Sequence, residues 1–188
     1  MLYQIISLLL DVAAGVLGGA CLLRLYLQYQ HIPLSARSGN PLGPFIFALT
    51  DWLVLPLRRV VPAWGRWDLA SLIGTYLLVL VQYFVLWLLA GAAAGLPVVP
   101  LLALFGMLRL LVSGLTGLVI VYAVLSWFQT RSTLTDVIER LCAPPLRPIR
   151  RLVPLVGGVD LSPLVLLVLL QIASILLGNL QTAALQSL

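Results

Sequence analysis

An all-α membrane protein with four transmembrane helices, built as a tandem parallel repeat, is the fold class this sequence predicts. Three observations predict it. Of 188 residues, 62% are hydrophobic and 9% charged, against roughly 25% charged in an ordinary globular domain, and mean hydropathy is +1.11. Apolar runs recur at lengths beyond about 18 residues, enough to cross a bilayer as a helix. A basic, proline-punctuated phrase, "PLRRVVPAWGRWD" at 56–68, returns as "PIRRLVPLVGGVD" at 148–160. Pro56/Pro148, Arg58/Arg150, Arg59/Arg151, Val61/Val153, Pro62/Pro154, Gly65/Gly157 and Asp68/Asp160 are identical between the copies.

The first span is placed near residues 4–28. It lacks a basic leader and a small-residue cleavage site, so it reads as a permanent span rather than a signal peptide. Asp11 interrupts it, and Arg24 lies near its far end, where a long side chain can snorkel to the headgroups. In "NPLGPFIFALT" (40–50) Asn40 suits an N-cap and Pro41 a first helical position, while Leu42, Phe45, Ile46 and Leu49 share one helical face. A short helix near 41–55 follows, ended by Pro56, as Pro148 is expected to end its counterpart in the second loop. Phe45, Phe47 and Trp52 leave it apolar nearly all round, which fits both an interfacial and a re-entrant element. Arg58, Arg59 and Arg66 fall at headgroup level, where guanidinium groups hold phosphates in a two-pronged geometry. Pro62 and Gly65 turn the chain. Asp68 stands before the second span, 69–92, where a carboxylate caps a helix N-terminus.

An uncharged turn, "AGLPVVP" (94–100), leads to the third span, 101–127, which contains Arg109. The second loop repeats the first. Leu134, Val137, Ile138 and Leu141 form one apolar face of a short amphipathic helix near 133–143. Thr133 and Asp136 can form a capping box; Asp136, Glu139 and Arg140 make the polar face. Arg147, Arg150 and Arg151, the Pro154–Gly157 turn and Asp160 follow, and then the fourth span, 161–183. Each repeat, 1–92 and 101–188, thus holds two spans, one short interfacial helix and one basic, proline-rich turn.

Nine of the eleven arginines sit in these two loops, and there is no lysine. Basic loops stay cytoplasmic, so the sequence predicts both loops inside and both termini outside. No nucleic-acid-binding motif accompanies the charge, so it reads as topology and lipid contact rather than nucleic-acid binding.

Charges inside spans are costly and face the bundle interior or water. Asp11 and Arg109 lie at matching depths, counted at 1.5 Å per residue, and are expected to pair across the bundle, either as a structural ion pair or as part of an ion or proton path. Gln82, Ser113, Ser126, Gln171 and Asn179 are expected to bond between helices, with a hydrophilic pore as the sharper alternative. Gly15 and Gly19 in the first span, and Gly106, Ser113, Gly114 and Gly117 in the third, allow close helix approach, within the chain or as the dimer face of a homo-oligomer. The lone His31 reads as a solvated residue at the end of span one, with a single-histidine haem site as the sharper alternative. Cys21, within the first span, and Cys142, expected in a loop region, have no metal-type spacing. Neither a catalytic triad, a carboxylate dyad, a phosphate loop nor a zinc motif is present. No cofactor, no metal and no enzymatic activity are expected.

The stretches "NPLGPFIFALTDWLVLPLRRVVP" (40–62) and "APPLRPIRRLVPLVGGVDLSPLV" (143–165), with "WFQ" at 127–129, resemble the YggT family, also called YlmG-like, of small bacterial and plastid membrane proteins. The resemblance covers nearly the whole chain. The first copy departs from the pattern where Asp51-Trp52 replaces a proline-bearing stretch. The resemblance implies an integral inner-membrane protein without established enzymatic activity, whose relatives are connected with cell or plastid division, nucleoid organisation, cytochrome assembly and osmotic-stress tolerance. The function expected is assembly or scaffolding, with partner membrane proteins and anionic phospholipids bound through Arg58, Arg59, Arg66, Arg147, Arg150 and Arg151. The alternative is an ion-flux component used under osmotic stress.

Overall fold

The computed structural model describes residues 1–32, 42–61, 67–92, 95–128, 132–152 and 160–186. Among them are six helices and no strand: α1 (Leu2–Tyr29), α2 (Leu42–Val60), α3 (Leu69–Leu89), α4 (Val98–Phe128), α5 (Thr133–Leu152) and α6 (Ser162–Gln186). Four of them, α1, α3, α4 and α6, are long and apolar enough to cross a membrane. The 21 residues of α3 rise about 31 Å, matching a hydrocarbon core of about 30 Å, and the 28 residues of α1 reach about 42 Å. The chain is a multi-pass membrane protein.

The spanning helices pack α1 on α3, α3 on α4 and α4 on α6, with α1 also touching α4. Close approach occurs where glycine removes a side chain. A Cβ at Gly106 would lie 2.6 Å from the Tyr83 ring and 2.8 Å from Val79 Cγ1, so α3 and α4 meet there; one at Gly18 would lie 2.7 Å from Leu110 Cδ2, which joins α1 to α4. Gly15, Gly19, Gly114 and Gly117 meet nothing within 4 Å. The glycine pair at four-residue spacing in span one is therefore not the one that packs within the chain.

The two shorter helices lie at one end of the bundle. α2 packs on α1 and α3 through Gly43, Ile46, Thr50 and Val54, while Phe45, Trp52 and Leu55 face outward. α5 packs on α4 and α6 through Val137, Ile138, Leu141, Cys142, Leu146 and Ile149. The Tyr26 hydroxyl donates to the Leu141 carbonyl at 2.7 Å, and Leu27, Ile46, Val137 and Leu141 share one core cluster. The C-terminal ends of α1 and α4 and the N-terminal ends of α3 and α6 meet there.

Three local expectations are corrected. Pro56 and Pro148 do not end their helices: α2 runs to Val60 and α5 to Leu152. An interior proline removes one donor and crowds one carbonyl. Both rings are exposed, where a local bend meets no packed neighbour, and the ladder resumes as Val61 N–H bonds Leu57 O at 2.8 Å. Arg58 and Arg59 in the last turn of α2, and Arg150 and Arg151 in that of α5, oppose the negative dipole ends. The cap of α5 is Ser132 rather than Thr133, because Thr133 is already helical; Ser132 Oγ accepts the Thr135 N–H at 3.2 Å. Cys142 lies on the buried face of α5 rather than in a loop. Asn40, Pro41, Pro62, Gly65, Arg66, Pro154 and Gly157 lie outside the described residues.

His31 is exposed and takes a left-handed φ of 55° as α1 ends, with Ile32 N–H bonded back to Leu27 O at 3.0 Å. Both cysteines are free and buried. Burial pushes the Cys142 thiol up to about 12, so almost no thiolate exists at pH 8. Alkylation of Cys142 by a maleimide at pH 8 is expected to be at least a hundred-fold slower in the folded protein than after denaturation, as read by mass spectrometry.

Candidate functional site

Successive residues of a helix point about 100° apart, so the two side chains of an arginine doublet set out in different directions. In both copies the doublet divides. Arg58 reaches Asp68 with Nη2 to Oδ2 at 2.5 Å and Nε to Oδ1 at 3.3 Å, and Nη2 also donates to Gln28 Oε1 at 3.0 Å. Arg150 donates Nε to Asp160 Oδ2 at 2.8 Å and Nη2 to the Tyr122 hydroxyl at 2.6 Å. The first arginine of each doublet, expected at the headgroups, is thus tied to the aspartate ten residues on. Arg59 and Arg151 are exposed and form no hydrogen bond or ion pair with a described residue. Arg140 and Arg147 are exposed as well.

The aspartates differ in their duties. Asp160 Oδ1 accepts the Ser162 N–H at 2.9 Å, capping the start of α6. Asp68 occupies the N-cap position of α3, but its side chain makes no cap bond; it accepts instead from Arg58 and from the Ser71 hydroxyl at 2.7 Å. Burial alone would push the Asp68 carboxyl up, but the donors Arg58 and Ser71 outweigh it and hold the group below its ordinary 3.8. At Asp160 burial is likewise outweighed, by bonds from Ser162 and Arg150.

Arg24 does not snorkel. Its side chain is 4% exposed, and Nη1 donates to Thr50 Oγ1 and to Asp51 Oδ1, each at 2.6 Å. Its Nε lies 3.9 Å from Asp68 Oδ2 without a hydrogen bond, and the guanidinium sits 4.9 Å over the Phe47 ring. Arg24, Asp51, Asp68 and Arg58 form one network joining α1, α2 and α3. With α2 closing over this part of α1, Nη1 of the buried guanidinium finds its acceptors locally, while Nε has no hydrogen-bond partner among the described residues. Thr50-Asp51 was the signal in the sequence: an acid in an otherwise apolar loop helix needs a base. The second copy aligns Cys142 and Ala143 with Thr50 and Asp51, so it has no such network.

Asp11 and Arg109 line one cavity of about 230 Å³ between α1, α3 and α4, with Gln82, Tyr83 and Ser113. They do not form the direct ion pair expected of them. Of the ion pairs among the described residues, all involve Arg24, Arg58 or Arg150. Asp11 Oδ1 instead accepts from Gln82 Nε2 at 2.5 Å, because α3 lies against α1 and brings its amide to the acid first. The Ser7 hydroxyl stands 3.5 Å from Asp11 Oδ2. Among the described residues no group of three or more His, Cys, Asp or Glu side chains could hold a metal ion.

A family model described as CCB3/YggT matches residues 2–89 and 101–181. The chain is 36% identical over 152 residues to a protein named uncharacterized protein YggT of Escherichia coli K12, covering 80% of this chain and 77% of that one. It is 36% identical over 163 residues to an uncharacterized protein encoded in the proC 3' region of Vibrio alginolyticus, covering 84% and 85%. With an uncharacterized protein of Pseudomonas aeruginosa it shares 32% identity over 167 residues, covering 87% and 85%. No solved structure matches it. The two matched segments span nearly the whole chain and include both divided arginine doublets, so this multi-pass membrane protein belongs to the CCB3/YggT family.

Proposed function

We propose that the protein is a non-enzymatic scaffolding or assembly factor of the bacterial inner membrane, docking on anionic phospholipids and partner membrane proteins through the basic end formed by α2 and α5. The observation that carries this reading is a stripe on α5. Arg140, Arg147 and Arg151 are all exposed. Their spacing of seven and four residues places them within about 20° of one line along the helix. The opposite face is buried against α4 and α6. Arg59 adds a fourth free guanidinium from α2 at the same end. By the positive-inside rule this end is cytoplasmic and both termini are outside.

Each arginine near an anionic surface contributes about 1 kcal/mol, so four together amount to about 4 kcal/mol, screened by salt. The test purifies the tagged protein from its native membrane in mild detergent and measures the lipids and proteins that accompany it. A variant with Arg59, Arg140, Arg147 and Arg151 changed to Gln is compared, with topology verified, because loss of loop arginines can invert insertion. The expected result is a several-fold loss of retained anionic phospholipid and loss of any stoichiometric membrane partner. Unchanged retention of both, or ion leakage from liposomes holding the wild type alone, would overturn the reading.

A further inference from the structure

The cavity between α1, α3 and α4 lies in the half of the bundle away from α2 and α5. Asp11 is about 14 Å along α1 from Leu2, Arg109 about 16 Å along α4 from Val98, and Gln82 about 10 Å short of the end of α3. An acid and a base at this depth both need partners. Asp11 is held from one side by the Gln82 amide. Arg109 has five N–H donors, and no hydrogen bond or ion pair takes any of them among the described residues. Gly178 of α6 leaves it room: a Cβ there would lie 3.8 Å from Arg109 Nη2. The space the two charged groups line measures about 230 Å³ and is open to the outside, with Asp11, Arg109 and Ser113 each exposed. Tyr83 and Ser113 line the same space, and a hydroxyl can donate or accept.

One negative and one positive group on a single lining discriminate among occupants. A lone anion drawn to Arg109 is repelled by Asp11, and a lone cation on Asp11 is repelled by Arg109. A dipolar ligand meets both favourably. We propose that this cavity binds a small zwitterion joining a primary ammonium to an anionic group, with the ammonium on Asp11 and the carboxylate or phosphate on Arg109. Two sources carry that chemistry: the phosphoethanolamine headgroup of a lipid, entering from the bilayer, and a free amino acid or phosphoethanolamine, entering from water. The site is independent of the basic end and does not rest on the scaffold reading.

The test uses the full-length protein, delipidated in detergent. Native mass spectrometry compares retention of dioleoyl phosphatidylethanolamine, phosphatidylcholine and phosphatidylglycerol, and calorimetry titrates free phosphoethanolamine and free glycine. Phosphatidylcholine keeps the phosphate but has no N–H for Asp11; phosphatidylglycerol has the phosphate without the ammonium. At least ten-fold preference for phosphatidylethanolamine, or saturable binding of a free zwitterion, is expected. Binding of the lipid alone assigns a headgroup, and binding of the free compounds assigns a soluble ligand. Asp11→Asn and Arg109→Gln should each reduce the preference at least ten-fold. Equal retention of the three lipids with no free binding, a preference for phosphatidylglycerol, or a preference that survives both substitutions would overturn the proposal. If either variant fails to fold, the comparison of ammonium with trimethylammonium on the wild type still decides it.

Discussion

Asp68→Ala is expected to destabilise the protein by about 3–5 kcal/mol, while Asp160→Ala, at the identical place in the second copy, costs only about 1 kcal/mol. Reversible unfolding in mixed detergent micelles measures both. Asp68 is fully buried and draws on Arg58, Ser71 and, at 3.9 Å, Arg24. Removing it leaves the half-buried Arg58 without its carboxylate and takes a nearby anion from the buried Arg24, which keeps only Asp51 and Thr50, and breaking a pair whose acid is fully buried carries that larger penalty. The Arg150–Asp160 pair has side chains 38% and 30% exposed, so water compensates much of its loss. The acid response has a matching sign. Because the folded state holds the Asp68 carboxyl below its ordinary 3.8, its stabilisation is complete above that value and is lost as pH falls through the lowered folded value. Wild-type stability should therefore drop on acidification below about pH 4, and the drop should be smaller in Asp68→Ala. Equal costs at the two aspartates would contradict the buried network.

Gly106→Ala and Gly114→Ala, eight residues apart in α4, are expected to shift stability in opposite directions. Alanine favours a helix over glycine by about 1 kcal/mol, so propensity alone stabilises both. At Gly114 nothing lies within 4 Å of the new Cβ, and the gain should appear nearly whole. At Gly106 the Cβ would stand 2.6 Å from the Tyr83 ring and 2.8 Å from Val79. Neither is the far end of a flexible chain, so α3 and α4 must separate, with an overpacking cost of about 1–3 kcal/mol. The net result is destabilisation at Gly106. The same unfolding assay reads both variants, and stabilisation of Gly106→Ala would mean that the α3–α4 contact is looser than described. A loss at Gly114, by contrast, would locate a helix or a second copy on that face.

The pattern of spans was legible because it depends on local quantities. A helix crosses a bilayer if its apolar run is long enough, and α1, α3, α4 and α6 lie within several residues of their sequence-based bounds. Depth was legible too, since counting residues from the helix ends puts Asp11 and Arg109 at one level, and they line one cavity. The recurring Arg58–Asp68 and Arg150–Asp160 separation was visible as a repeat, but not as a bond.

What only the tertiary structure decided is rotation and closure. The doublets divide because neighbouring helical side chains diverge by about 100°, and the fold turns the first of each pair toward the aspartate ten residues on. Arg24 is buried rather than snorkelling because α2 folds back over α1 and carries Thr50 and Asp51 to it. Asp11 bonds Gln82 instead of Arg109 because α3 lies closely against α1. Pro56 and Pro148 fail to stop their helices because what lies around a proline sets its cost as much as the residue itself. Composition and spacing thus determined that the chain is a four-span protein with one basic end. Which of its charges bind one another, and which stay exposed without a described partner, depended on how the helices face each other, a property that belongs to no single segment.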